Sequence, residues 1–129
     1  MFNWRRPTNL GVKDGRLAPC KRSPNCVSSQ ADPADREHYI APISFRGAMP
    51  DLRRAVESME RSTVITAAAN YLYAEYRTRL LRYVDDLELF YDERAGLVHV
   101  RSASRLGRRD FGVNRKRVEA LRSVIAARR

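Results

Sequence analysis

No part of this sequence offers the roughly 20 consecutive apolar residues that carry a helix across a bilayer. Its first ten residues, MFNWRRPTNL, have no apolar core of the signal-peptide kind, so the expected compartment is the cytoplasm. Cysteine and histidine are scarce: Cys20, Cys26, His38 and His99 are all there are. A structural zinc site usually takes four such ligands, and His99 falls in a predicted strand far along the chain. No metal is therefore assigned. There is no phosphate-cradling glycine-rich loop, no HExxH pattern and no paired-cysteine knuckle, so no cofactor is assigned either. Lysine is also rare. Apart from Lys13, Lys21 and Lys116, the 25 basic residues are arginine, which suits bidentate contacts to carboxylate or phosphate.

What remains is one domain's worth of chain, 129 residues with 43% hydrophobic residues, enough to furnish a core. The net charge of +10 is uneven: residues 1–30 carry +5 and residues 93–129 carry +8, around a slightly acidic middle. Basic ends of this kind attract phosphate in a nucleic acid, an anionic membrane or a small ligand, and they also serve solubility. Arg101 to Arg117 is the densest stretch and includes Arg105, Arg108, Arg109, Arg115 and Lys116.

Residues 1–35 read as an irregular arm punctuated by Pro7, Gly11, Gly15, Pro19, Pro24 and Pro33. Phe2, Trp4, Leu10, Val12, Leu17 and Val27 recur within it, which suggests that it packs on the domain of residues 36–129. Five residues around a Pro24-Asn25 turn separate Cys20 from Cys26. A small disulfide loop is one outcome. Buried free thiols are the expected one, since a reducing cytosol keeps cysteines apart.

His38 to Phe45 predicts a short strand that Pro42 confines to an edge or a bulge. A helix should begin near Pro50 and bury Leu52, Val56 and Met59. The period then shortens to two: Thr63–Ala68, Tyr71–Arg77, Tyr83–Tyr91 and Leu97–Ser104 predict strands. The loop 92–96 predicts a hairpin in which Asp92 faces Leu97, setting Tyr91 against Val98, Leu89 against Val100 and Glu88 against Arg101. A last helix should start at an Asn114 N-cap with Val113 and Val118 as a hydrophobic staple. It would bury Val118, Leu121 and Ile125 and end on Arg128 and Arg129, where cations suit the helix dipole. The fold class is thus α+β: an antiparallel meander of about five strands with two amphipathic helices on one face. The order β-α-β-β-β-β-α has the connectivity of helix-grip and TATA-binding-protein-like folds.

Several runs resemble one family. They are Leu17-Ala18-Pro19-Cys20 with Ser23-Pro24-Asn25-Cys26-Val27-Ser28-Ser29-Gln30, Tyr83-Val84-Asp85-Asp86-Leu87-Glu88, Val100 to Arg105, and Gly112 to Arg122. Together they are similar to the domain of unknown function family 1499 (DUF1499). Lys21 and the stretch Leu106 to Asp110 depart from its pattern. The resemblance implies bacterial envelope and plastid settings among others, and it carries no catalytic residues.

The hairpin register itself proposes a site. On the face of Leu87, Leu89, Val98 and Val100, Asp85, Ser102 and Ser104 should point inward, with Ser104 opposite Asp85. A carboxylate there needs hydrogen bonds or a cation. Ser102, Ser104, Ser28, Ser29 or an arginine are the available partners. Arg101, Arg105, Ser28 and His38 complete the candidate binding set. The favoured expectation is a non-catalytic domain for a small anionic ligand or a protein partner. Nucleic-acid association comes next, with Tyr71 and Tyr73 on an open sheet face as stacking partners. The third reading is a hydrolase or thiol enzyme using Cys20 or Cys26, with His38 or His99 as base.

Overall fold

The computed structural model describes residues 5–79, 83–107 and 112–128. Phe2, Trp4, Arg108, Arg109 and Arg129 lie outside them. In chain order the elements are β1 (Cys26–Ser28), β2 (Ile43–Ser44), α1 (Met49–Glu57), β3 (Ser62–Ala67), β4 (Tyr71–Arg77), β5 (Val84–Asp92), β6 (Leu97–Ser104) and α2 (Val113–Ala127). They build one antiparallel sheet in the order β1-β6-β5-β4-β3, with β2 also paired to β6. The α+β class is as expected, and β3 to β6 form a meander, but the sheet has six strands where about five were expected, because β1 adds a strand ahead of the expected order.

The hairpin register is the one read from the sequence. Asp92 pairs with Leu97, Tyr91 with Val98, Leu89 with Val100, Glu88 with Arg101 and Asp85 with Ser104. It holds because period-two alternation ties every side chain to its face, and a slip of one residue would exchange Val100 for Arg101 in the core. Gly96 closes this turn at φ 66°, a left-handed conformation that glycine adopts without strain. A β-carbon there would also sit 2.7 Å from the Arg46 guanidinium carbon.

Both helices cover the same face. Leu52, Ala55 and Val56 of α1 and Val118, Leu121 and Ile125 of α2 meet Leu72 and Ala74 of β4, Leu87 and Leu89 of β5, and Val98 and Val100 of β6. Burying each of these larger side chains contributes roughly 1.5–3 kcal/mol. In α1, Pro50 occupies the first turn and the Asp51 carboxylate accepts the Ala48 N–H.

Three local expectations need correction. The arm is not irregular throughout, because Cys26–Ser28 forms β1, whose Val27 pairs with Ser102 and enters the core. The strand expected over His38 to Phe45 shrinks to Ile43–Ser44, directly after Pro42, which has no N–H to give a ladder. Asn114 is not the N-cap of α2. Gly112 takes that position at φ 77°, and Val113, the first helical residue, stays 38% exposed instead of stapling to Val118.

Candidate functional site

The candidate residues fall into three separate places. On the helix-facing side, Asp85 is 2% exposed and pairs with Arg117 of α2 at 2.8 Å. The Arg117 guanidinium lies 4.7 Å from the centre of the Tyr76 ring and donates to Asn114 Oδ1 at 2.9 Å. Ser102 Oγ donates to the same oxygen at 2.6 Å, while Asn114 Nδ2 donates to Ser104 Oγ at 2.9 Å and to the Asn25 carbonyl at 3.2 Å. Asp85, Ser102 and Ser104 therefore do meet. Their partners are Arg117 and Asn114, which occupy the corner and join arm, sheet and α2 there. Sequence reasoning named neither as a site residue. The stripe Val118, Leu121, Ile125 extended back one turn lands on Asn114, and that was the available signal.

The opposite face carries Tyr71, Tyr73 and Glu75 of β4, Asp86 and Glu88 of β5, and Arg101 of β6, alternating with the core residues. It was expected to be open. Instead Glu75, Asp86, Glu88, Arg101 and Tyr73 are buried, and the arm contributes to their pairing. Arg105 holds Asp86 bidentately at 2.9 and 2.8 Å and reaches Glu75 at 2.6 Å. Arg6 of the arm donates to Glu75 at 2.8 Å. Burial alone would raise the Glu75 carboxyl, but hydrogen bonds from Arg6, Arg105 and Tyr73 outweigh it and hold the group below the ordinary carboxylate range. Burial, and then the bonds to Asp86 and Glu75, push the Tyr73 phenol upward, so it stays protonated. Glu88 Oε2 accepts the Gly11 N–H at 2.7 Å and the Tyr71 hydroxyl at 2.6 Å.

One buried pair on this face is left short of bonds. Arg101 Nη1 lies 3.6 Å from Glu88 Oε1, close enough for charge but too long for a hydrogen bond. Among the described residues Glu88 Oε1 and Arg101 Nε have no hydrogen-bond partner, although the two residues are 0% and 5% exposed. Arg101 also lines a cavity of about 400 Å³ between arm and sheet. Arg5, Lys21, Asn25, Ser104 and Arg105 share that lining, and Asp86 is its only acid among the described residues. Two candidates, Arg101 and Arg105, thus converge on one cavity, and Ser104, whose hydroxyl is bonded to Asn114 on the helix-facing side, only borders it.

Ser28 and His38 line a second cavity of about 390 Å³ together with Cys20, Lys21, Arg16 and Asp35. His38 Nδ1 is 2.8 Å from Asp35 Oδ2, and Nε2 is 2.9 Å from the Ser23 carbonyl. A carbonyl only accepts, so the ring donates at Nε2. Burial disfavours the charged ring, yet the Ser23 carbonyl and Asp35 prevail and raise its pKa. Ser28 Oγ accepts the Gln30 N–H at 3.1 Å and makes no bond to the ring. His99 faces Phe90, with ring centroids 6.3 Å apart; it is half-buried and its Nδ1 lies 3.1 Å from Ser29 Oγ.

Cys20 and Cys26 form a disulfide, which corrects the expectation of free thiols. The bond fixes the arm to β1 and closes the Lys21–Asn25 loop, so Lys21 stands in the wall of both cavities. A family model described as "Protein of unknown function (DUF1499)" matches residues 16–125. No curated protein and no solved structure matches the chain.

Proposed function

The chain belongs to the DUF1499 family, and we propose that it is a non-catalytic domain that binds a small anion in the cavity between arm and sheet. The observation that carries this reading is Arg101, a buried guanidinium on the cavity wall that Glu88 does not reach at hydrogen-bond distance and that is left short of an acceptor among the described residues. A carboxylate or phosphate oxygen is the acceptor such a group needs, and leaving a buried donor unmade costs about 1–3 kcal/mol. Arg5 and Lys21 add positive charge at the same wall. Arg105 serves a different end, since Asp86 and Glu75 already engage it.

The catalytic alternatives are less well supported. A thiol nucleophile requires a thiolate, and both sulfurs are bonded to each other. His38 has a hydrogen-bond partner at each ring nitrogen, which leaves it no free lone pair to act as base. Stacking of single-stranded nucleic acid on Tyr71 and Tyr73 conflicts with Tyr73 being buried, its hydroxyl beside Asp86. The disulfide also supports an oxidising compartment for this chain in place of the cytoplasm.

Thermal shift and calorimetric titration against phosphate, sulfate, succinate and citrate test the proposal. At least one of these should raise Tm saturably at low-millimolar concentration. Lys21→Ala, at an exposed position, should weaken that anion about tenfold while leaving the ligand-free Tm unchanged. No shift with any of the four anions, or equal affinity in Lys21→Ala, overturns it.

A further inference from the structure

The end of the sheet away from the β5–β6 hairpin gathers four cations. Arg61 precedes β3, Arg77 and Arg79 leave β4, and Lys116 sits in the first turn of α2. All four are exposed and line a hollow of about 450 Å³. Among the described residues the only acid in its lining is Glu60, 3.2 Å from Arg61. Arg117, which also lines it, is committed to Asp85. Among the described residues Arg77, Arg79 and Lys116 have no ion-pair partner, and the first turn of α2 holds no acidic residue to temper them. Like charges set round a concavity raise its potential and draw in anions.

We propose that this end of the molecule docks on anionic phospholipid headgroups, with a lipid phosphate seated in the hollow. Two observations select lipid over nucleic acid. Val113, 38% exposed, is part of the same lining and offers a branched apolar side chain to the headgroup layer. The Cys20–Cys26 bond favours a compartment where membranes are at hand and nucleic acid is not. The inference does not depend on the arm cavity, which is lined by other residues.

Co-sedimentation of the full chain with vesicles tests it, comparing pure phosphatidylcholine with phosphatidylcholine containing one third phosphatidylglycerol. Binding should require phosphatidylglycerol. Each of Arg77→Ser, Arg79→Ser and Lys116→Ser should weaken it about fivefold, and the triple variant about 100-fold. Val113→Ser should weaken it further at equal charge. Lys21→Ala should leave it unchanged, and unaltered Tm values should show that the variants fold. Equal binding to both vesicle types overturns the proposal, as does a triple variant that binds like the parent. A duplex DNA that binds through the same three cations while anionic vesicles do not also overturns it.

Discussion

Leu87 and Leu89 of β5 point toward the helices, while their neighbours Asp86 and Glu88 point toward the arm. All four are buried. On the first face, burial is driven by removing apolar surface from water, which is non-directional and tolerates imprecise partners. On the second, each charge must find its counterpart at hydrogen-bond distance, because an unmatched one costs several kcal/mol. Arg105, with two bonds to Asp86 and one to Glu75, meets that demand. Arg101 and Glu88, 3.6 Å apart, do not. The contrast shows that a charged inner face accommodates a shortfall at one place, and that place adjoins the cavity.

Single substitutions on the two faces sharpen the comparison. Arg105→Met leaves Asp86 and Glu75 buried without their shared cation and should cost about 3–5 kcal/mol in guanidinium unfolding. Leu89→Ala on the helix face should cost about 3 kcal/mol. If Arg105→Met cost less than about 1 kcal/mol, the charged face would not hold the arm in place. Replacing Cys20 and Cys26 by serine removes a bridge of sequence separation 6. By loop entropy this should cost about 2 kcal/mol, with the anion response of the arm cavity weakened in parallel.

A smaller effect concerns pH. His38 has a folded pKa above the ordinary 6.5, so the folded chain holds a proton that the unfolded chain gives up. Its contribution is complete below pH 6.5 and fades as pH rises through the raised value. Denaturant midpoints should therefore fall between mildly acidic and mildly alkaline buffer, and His38→Gln should flatten that slope. An unchanged slope would show that the ring is not charged in the fold.

The helix-facing side was legible because its signals are local. Alternation set the strands, the Asp92–Leu97 turn set the register, and stripes such as Val118, Leu121 and Ile125 set the helices. The same register placed Asp85 beside Ser104. The charged face was half legible. Arg101 opposite Glu88 follows from alternation, but the arm that covers them does not, since Gly11 and Arg6 reach strands 77 and 69 residues further along. No periodicity encodes pairings of that separation. Asn114 misled for a physical reason: asparagine caps helices well, and only its place on the buried stripe marks it as a joint. The cysteine pair depends on compartment as much as on sequence, so spacing alone left it open.

Lys21 stands between two hollows and has one ammonium to give. On the proposed anion site, an anion lodged on the β6 side would compete for it with any anion on the Ser28–His38 side. Shared use of one cation would make the two chambers antagonists, each a brake on filling the other. Titration to saturation should return one tight equivalent followed by a much weaker second; two equal equivalents would refute that antagonism.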